Sequence, residues 1–138
     1  MDFANIPEVV IEKLRLKGPE NRIALVGASG NTEKYGNIIF KNLLGKGYDV
    51  VPVNRRDKEV EGVIAFPHVN AIEGPVGLVN FVVPPPVTLA VLKEINPGGV
   101  DAVWFQDGSF NNEVIEYAQE HFQYIVFDAC IMVVTNYT

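Results

Sequence analysis

Three short stretches of this 138-residue chain carry residue types whose spacing could do chemistry. The first is "VGASGNTEKYG", where Gly27, Ala28, Ser29 and Gly30 directly follow an apolar run and Gly36 comes shortly after. Small residues let a ligand approach the backbone, and a phosphate can rest on free N–H groups where a helix begins. The spacing is Gly-x-x-Gly-x5-Gly, not the Gly-x-Gly-x-x-Gly of common dinucleotide folds. Taken alone it serves a bare strand–helix turn equally well. The second stretch is Asn54-Arg55-Arg56, at the end of the next apolar run. Nicotinamide dinucleotide sites carry Asp or Glu there, about 20 residues on, to bind a ribose hydroxyl. Two cations stand in its place, and arginine forks match phosphate oxygens. Such a pocket expects an adenosine ribose with an extra phosphate, which both NADP and coenzyme A carry. The alternative is a solvated turn beside Asp57 and Glu59. The third stretch is Val82-Val83-Pro84-Pro85-Pro86, a stiff corner whose prolines lack N–H donors and present an apolar wall.

Other reactive side chains are few. His68 and His121 are the only histidines. His121 closes a helical segment, where a cation complements the helix dipole; His68 sits in "FPHVN" without a legible partner. No Cys/His cluster has metal-ligand spacing. Cys130, the single cysteine, reads as a buried inert thiol, with a thiol that exchanges with a ligand's thiol as the alternative. Asp107 and Asp128 read as loop and capping carboxylates. No catalytic residue and no metal ligand is assigned.

The elements that must position these residues alternate along the chain. Apolar runs at 22–27, 48–53, 77–84, 101–106 and 124–129 have strand length, and a shorter strand fits 62–67. Helical stripes lie at 6–18, 37–47, 85–99 and 111–122, with Asn111 or Asn112 able to cap the last. Unalternating apolar strands are buried on both faces, and intervening helices give right-handed crossovers and a parallel sheet. The expected fold is α/β, a doubly wound Rossmann-like parallel sheet in a single domain over 1–138. Residues 1–18 supply an N-terminal helix and 20–132 the nucleotide-binding core. Ligands of such sheets bind beyond the carboxyl ends of the strands, where all three stretches fall.

Composition narrows the partners. A net charge of −6 repels nucleic acid, so none is expected. No stretch approaches the ~18 apolar residues of a membrane span, and no signal peptide reads at the start. A lone cysteine suits a reducing compartment, so the expected location is cytoplasmic.

In order, "VGAS", "VPVNRR", "VVPPP", "AVWFQDG" and "FDACI" resemble the CoA-binding domain family over about residues 20–132. The resemblance is to its small stand-alone members, and "VVPPPVTLAVL" also resembles the amino-terminal domain of the succinyl-CoA synthetase alpha subunit. It implies binding of coenzyme A or an acyl-CoA. Gly27, Ala28, Ser29 and Gly30 would wrap the phosphates. Arg55 and Arg56, beside Asn54, would meet the nucleotide phosphate. Val83 and Pro84, Pro85 and Pro86 would flank the adenine or the pantetheine path. Gln106 and Asp107 match a ligand-touching loop, and Lys34-Tyr35-Gly36 matches a basic-x-Gly pattern. One departure is Ala129, where small relatives often carry a basic residue. Three functions follow: a stand-alone CoA-binding module without catalysis; a subunit of an acyl-CoA ligase whose catalytic domains lie on a partner chain; or an NAD(P)-binding sensor or reductase domain. Oligomeric state is left open.

Overall fold

The apolar runs become strands where both faces are covered. The computed structural model describes residues 5–96 and 98–138. In chain order the elements are α1 (Glu8–Leu16), β1 (Ile23–Val26), α2 (Tyr35–Gly45), β2 (Val50–Val53), β3 (Glu59–Val60), β4 (Val63–Ile64), β5 (Leu78–Phe81), α3 (Pro85–Glu94), β6 (Ala102–Phe105), α4 (Asn112–His121), β7 (Tyr124–Val126) and α5 (Ile131–Val134). Short 3-10 turns lie at Pro19–Asn21 and Val69–Ala71. The five long strands form one sheet in the order β2-β1-β5-β6-β7, every pair parallel. Strand order reverses at β1, so the crevice of a doubly wound sheet opens between the ends of β1 and β5.

The pleat divides the core. Ile23 and Leu25 of β1 join Val10, Ile11 and Leu14 of α1, Ile39, Phe40 and Leu43 of α2, and Ile131 and Val134 of α5. Ala24 and Val26 point the other way, onto Val91 and Leu92 of α3 and Val114 and Ala118 of α4. Each buried Val, Leu, Ile or Phe side chain contributes about 1.5–3 kcal/mol, so both layers are needed.

Several sequence expectations shift at the ends of elements. The helix expected over 6–18 runs from Glu8 to Leu16, with Pro7 just before it and Lys17 closing it at φ 45°. Helix α2 starts earlier than expected, at Tyr35. Helix α3 stops at Glu94, and Pro97, in the stretch expected to continue it, lies outside the described residues. Asn111 caps α4, its side chain accepting from Val114 N–H at 3.0 Å. The expected strand near 62–67 is half of a hairpin, β3 with β4. The crossover from β2 to β5 thus carries no α-helix among the described residues, only this hairpin and a 3-10 turn. It also lies along the outer side of β2: Phe66 N–H donates to Pro52 O and Asn54 N–H to Phe66 O, each at 2.9 Å.

One contact seats the helix nearest the crevice. A Cβ on Gly36 would lie 2.0 Å from the Gly27 carbonyl oxygen, so only glycine lets α2 press onto the β1 turn. Gly27 itself has φ +103° and no room beside Val82 and Val83. Gly36→Ala is expected to lower stability by about 1–3 kcal/mol, the usual cost of overpacking. Gly45→Ala, in the last turn of α2 with open space around it, is expected to be neutral or to stabilise by up to about 1 kcal/mol. Urea denaturation of both variants checks the opposite signs.

Candidate functional site

The turns leaving β1, β2 and β5 enclose a cleft of about 900 Å3 at the carboxyl edge of the sheet. Gly27, Ser29 and Gly30 line it from the β1 turn, and Lys34, Tyr35 and Gly36 from the start of α2. Asn54, Arg55 and Arg56 line it from the β2 turn, and Val83 and Pro84 from the end of β5. The structure therefore brings together stretches far apart in sequence. Ala28, Pro85, Pro86, Gln106 and Asp107 do not line the cleft. Ala28 is fully buried beneath the turn, and Gln106 is buried as well. Pro85 and Pro86 open α3, and Asp107 is exposed after β6.

Side chains brace the β1 turn from two sides. Asn37 Nδ2 donates to Ser29 O at 2.8 Å, and Asn54 Nδ2 donates to Ala28 O at 2.8 Å. Asn54 Oδ1 accepts from the N–H groups of Arg56 (2.7 Å) and Asp57 (2.9 Å). Asn54 thus lines the cleft while its amide is committed to backbone. Helix α2 begins without a side-chain cap, and no acidic residue lies in its first turn. Of its first four N–H groups, those of Asn37 and Ile38 donate to Lys34 O, and those of Tyr35 and Gly36 remain to meet an anion. Gly30 lines the same cleft; its N–H donates to Asp57 Oδ2 at 3.4 Å, and a Cβ there would meet only that oxygen, at an ordinary 3.6 Å. The start of α3 differs, because Pro85 and Pro86 have no N–H to offer.

The charged rim holds four residues that the sequence reading did not assign to the site: Asp57, Glu59, His68 and Glu94. Arg55 Nη2 lies 2.9 and 3.2 Å from the carboxylate oxygens of Glu94, and His68 Nδ1 lies 3.6 Å from Glu94 Oε2. Both partners come from distant segments, so no local pattern signals them. Lys34, Arg55 and Arg56 face Asp57, Glu59 and Glu94 around the cleft.

Cys130 sits beyond Tyr35. The Tyr35 hydroxyl is 3.4 Å from Cys130 Sγ, and Gln106 Nε2 is 3.5 Å from it. Gln106 Oε1 accepts from Ile131 N–H at 3.0 Å, which ties the β6 turn to α5. Burial pushes the half-buried thiol up, but hydrogen bonds from Tyr35, Val133, Gln106 and Met132 outweigh it, and the net shift is downward. Tyr35 moves the opposite way, to about 12, chiefly through its hydrogen bond to Cys130 and then through burial. It therefore stays a neutral donor at physiological pH. Iodoacetamide alkylation of Cys130 is expected to follow a pH profile with its midpoint below that of a free thiol. Tyr35→Phe removes a donor to the thiolate and is expected to move that midpoint up. An unchanged midpoint would show that the tyrosine does not set the thiol's acidity.

No helix among the described residues is long and apolar enough to cross a membrane. The family model described as CoA binding domain matches residues 21–136. The chain is 30% identical over 112 residues to the uncharacterised protein YneT of Bacillus subtilis, covering 81% of this chain and 83% of that one. It is 32% identical over 126 residues to the alpha subunit of the ADP-forming acetate–CoA ligase II of Pyrococcus furiosus, covering 83% of this chain but 28% of the subunit. A solved structure of a conserved hypothetical protein from Pyrococcus furiosus superposes with a TM-score of 0.76 at 43% identity, covering 82% of this chain and 97% of that one. A Rossmann-like parallel sheet with its crevice at the β1–β5 reversal, matched over nearly all its length, belongs to the CoA-binding domain family.

Proposed function

We propose that this chain binds coenzyme A, or an acyl thioester of it, in the cleft between the β1, β2 and β5 turns, and that it performs no chemistry of its own. One observation carries the reading: the start of α2, with no side-chain cap and no acidic residue in its own first turn, lines the same cleft as Gly30, Arg55 and Arg56. The diphosphate belongs at Ser29, Gly30 and the first turn of α2, where backbone donors and the helix dipole favour it. The extra ribose phosphate belongs at Arg55 and Arg56, whose forks suit phosphate oxygens. Val83, Pro84 and Tyr35 supply apolar surface along the rest of the path. NADP satisfies the same arginines, and the family match supports coenzyme A over it.

A second reading adds a partner chain. Likeness to just over a quarter of the Pyrococcus furiosus ligase subunit favours it, because such a domain could hold the coenzyme while another chain supplies catalysis. Copurification of a second chain at fixed stoichiometry supports that reading; a lone chain that still binds coenzyme A supports the first.

Coenzyme A at 100 times its dissociation constant adds ~2.7 kcal/mol to the folded state. The expected rise in melting temperature is roughly 8–14 °C for a chain of this size, with smaller rises from NADP and NADH. A flat response at millimolar coenzyme A overturns the reading. Gly30→Val probes the phosphate loop, because the site has space for a side chain until a ligand fills it. The variant is expected to keep a native circular dichroism spectrum and lose the thermal shift. Unchanged binding would make this glycine a bare turn residue.

The double variant Arg55→Ala/Arg56→Ala tests the ribose phosphate. A charge-assisted hydrogen bond contributes about 1.5–3 kcal/mol. Coenzyme A should therefore weaken by roughly 10- to 100-fold, while dephospho-CoA, which lacks that phosphate, should be nearly unaffected. Titration calorimetry of both ligands against both proteins reads this directly. Equal losses would mean that the arginines do not read the phosphate.

A further inference from the structure

Arg55 is not a free cation in this cleft. Its guanidinium is held by both oxygens of the Glu94 carboxylate, at 2.9 and 3.2 Å, and His68 Nδ1 approaches the same carboxylate at 3.6 Å. Arg55, His68 and Glu94 all line the cleft. Glu94 is the last residue of α3, where the helix dipole disfavours a negative charge. A carboxylate in that position gains little from its own helix, and its partners all come from across the cleft. Its place is further fixed at the backbone: Asn70 Nδ2 donates to Glu94 O, and Asn96 N–H donates to Asn70 Oδ1.

We propose that Glu94 competes with the ligand's ribose phosphate for Arg55 and so sets how tightly a ligand carrying that phosphate is held. The inference rests on the coenzyme A reading above and adds what the site demands of its ligand. A ribose hydroxyl has no charge with which to displace a carboxylate, so a ligand without the phosphate leaves the pair intact and gains nothing from Arg55. A phosphate monoester carries nearly two charges and can take both prongs of the guanidinium. It releases Glu94 from Arg55 and collects the arginine. The carboxylate therefore lowers affinity for every ligand that uses Arg55. In the absence of ligand it also prevents Arg55 from acting as an open anion site.

The test pairs Glu94→Gln with four probes: coenzyme A, dephospho-CoA, adenosine 3′,5′-bisphosphate and AMP. An exposed ion pair contributes about 0.2–1 kcal/mol, so its removal should tighten coenzyme A and the bisphosphate by roughly 1.5- to 5-fold. Dephospho-CoA and AMP should be unchanged. In an Arg55→Ala background the gain from Glu94→Gln should vanish, which isolates the coupling between the two residues. Equal tightening of all four probes overturns the proposal, since that is general relief of repulsion. Weaker coenzyme A binding overturns it in another way, by making Glu94 a brace that positions Arg55. A gain that persists without Arg55 also overturns it. If wild type binds coenzyme A and Glu94→Gln changes nothing, this inference fails alone. If wild type binds neither coenzyme A nor the bisphosphate, the functional reading fails with it.

Discussion

The site depends on one close contact, the seating of α2 on the turn that leaves β1. Gly36 has no Cβ to strike the Gly27 carbonyl, and Gly27 takes a backbone angle that other residues avoid. With these two residues in place, the start of α2 sits against the backbone of the turn. Its donors then open into the cleft, and Tyr35, in its first turn, reaches both the cleft wall and Cys130. Asn37 from the same helix and Asn54 from the β2 turn fix the carbonyls of Ser29 and Ala28. The loop is therefore braced by the protein itself before any ligand arrives. Such preorganisation reduces the ordering cost of binding.

Charge in the cleft is local and balanced. The chain as a whole carries −6, yet three cations face three carboxylates around the opening. An anionic ligand is consequently not drawn in by a broad positive field. On the function proposed above, it is recognised at short range, by oriented N–H groups and by guanidinium forks. This favours discrimination among phosphorylated ligands over simple attraction of anions.

Much of this was legible in the sequence, for a physical reason. Strands buried on both faces need continuous apolar runs, so β1, β2, β5 and β6 stand out as such. Turns at the carboxyl edge need glycine or proline, so Gly27 and Pro84 mark where the chain meets the cleft. The hairpin of β3 and β4 was only half seen, and α5 was not, because elements of two to four residues have no periodicity to detect. The run of prolines could be read as a corner, but not that Pro84 alone faces the cleft while Pro85 and Pro86 begin α3. Arg55 could be read as a phosphate ligand, but its pairing with Glu94 spans 39 positions of sequence and exists only once α3 is packed. For the same reason His68 showed no partner, and Gln106 looked like a loop residue although its amide is spent on Ile131 and Cys130.

The crossover that forms the rim at Asn54, Arg55 and His68 also covers the outer side of β2. Pro52 has no N–H, and its carbonyl is taken by Phe66, whose own carbonyl accepts from Asn54. An open β-edge is a template for pairing with other chains, and proteins guard it with proline or with covering loops. This edge has both. The opposite edge, β7, is three residues long. The segment carrying one side of the cleft therefore doubles as insulation against self-association. Cutting it away would expose a sticky sheet margin and remove one side of the cleft in the same stroke.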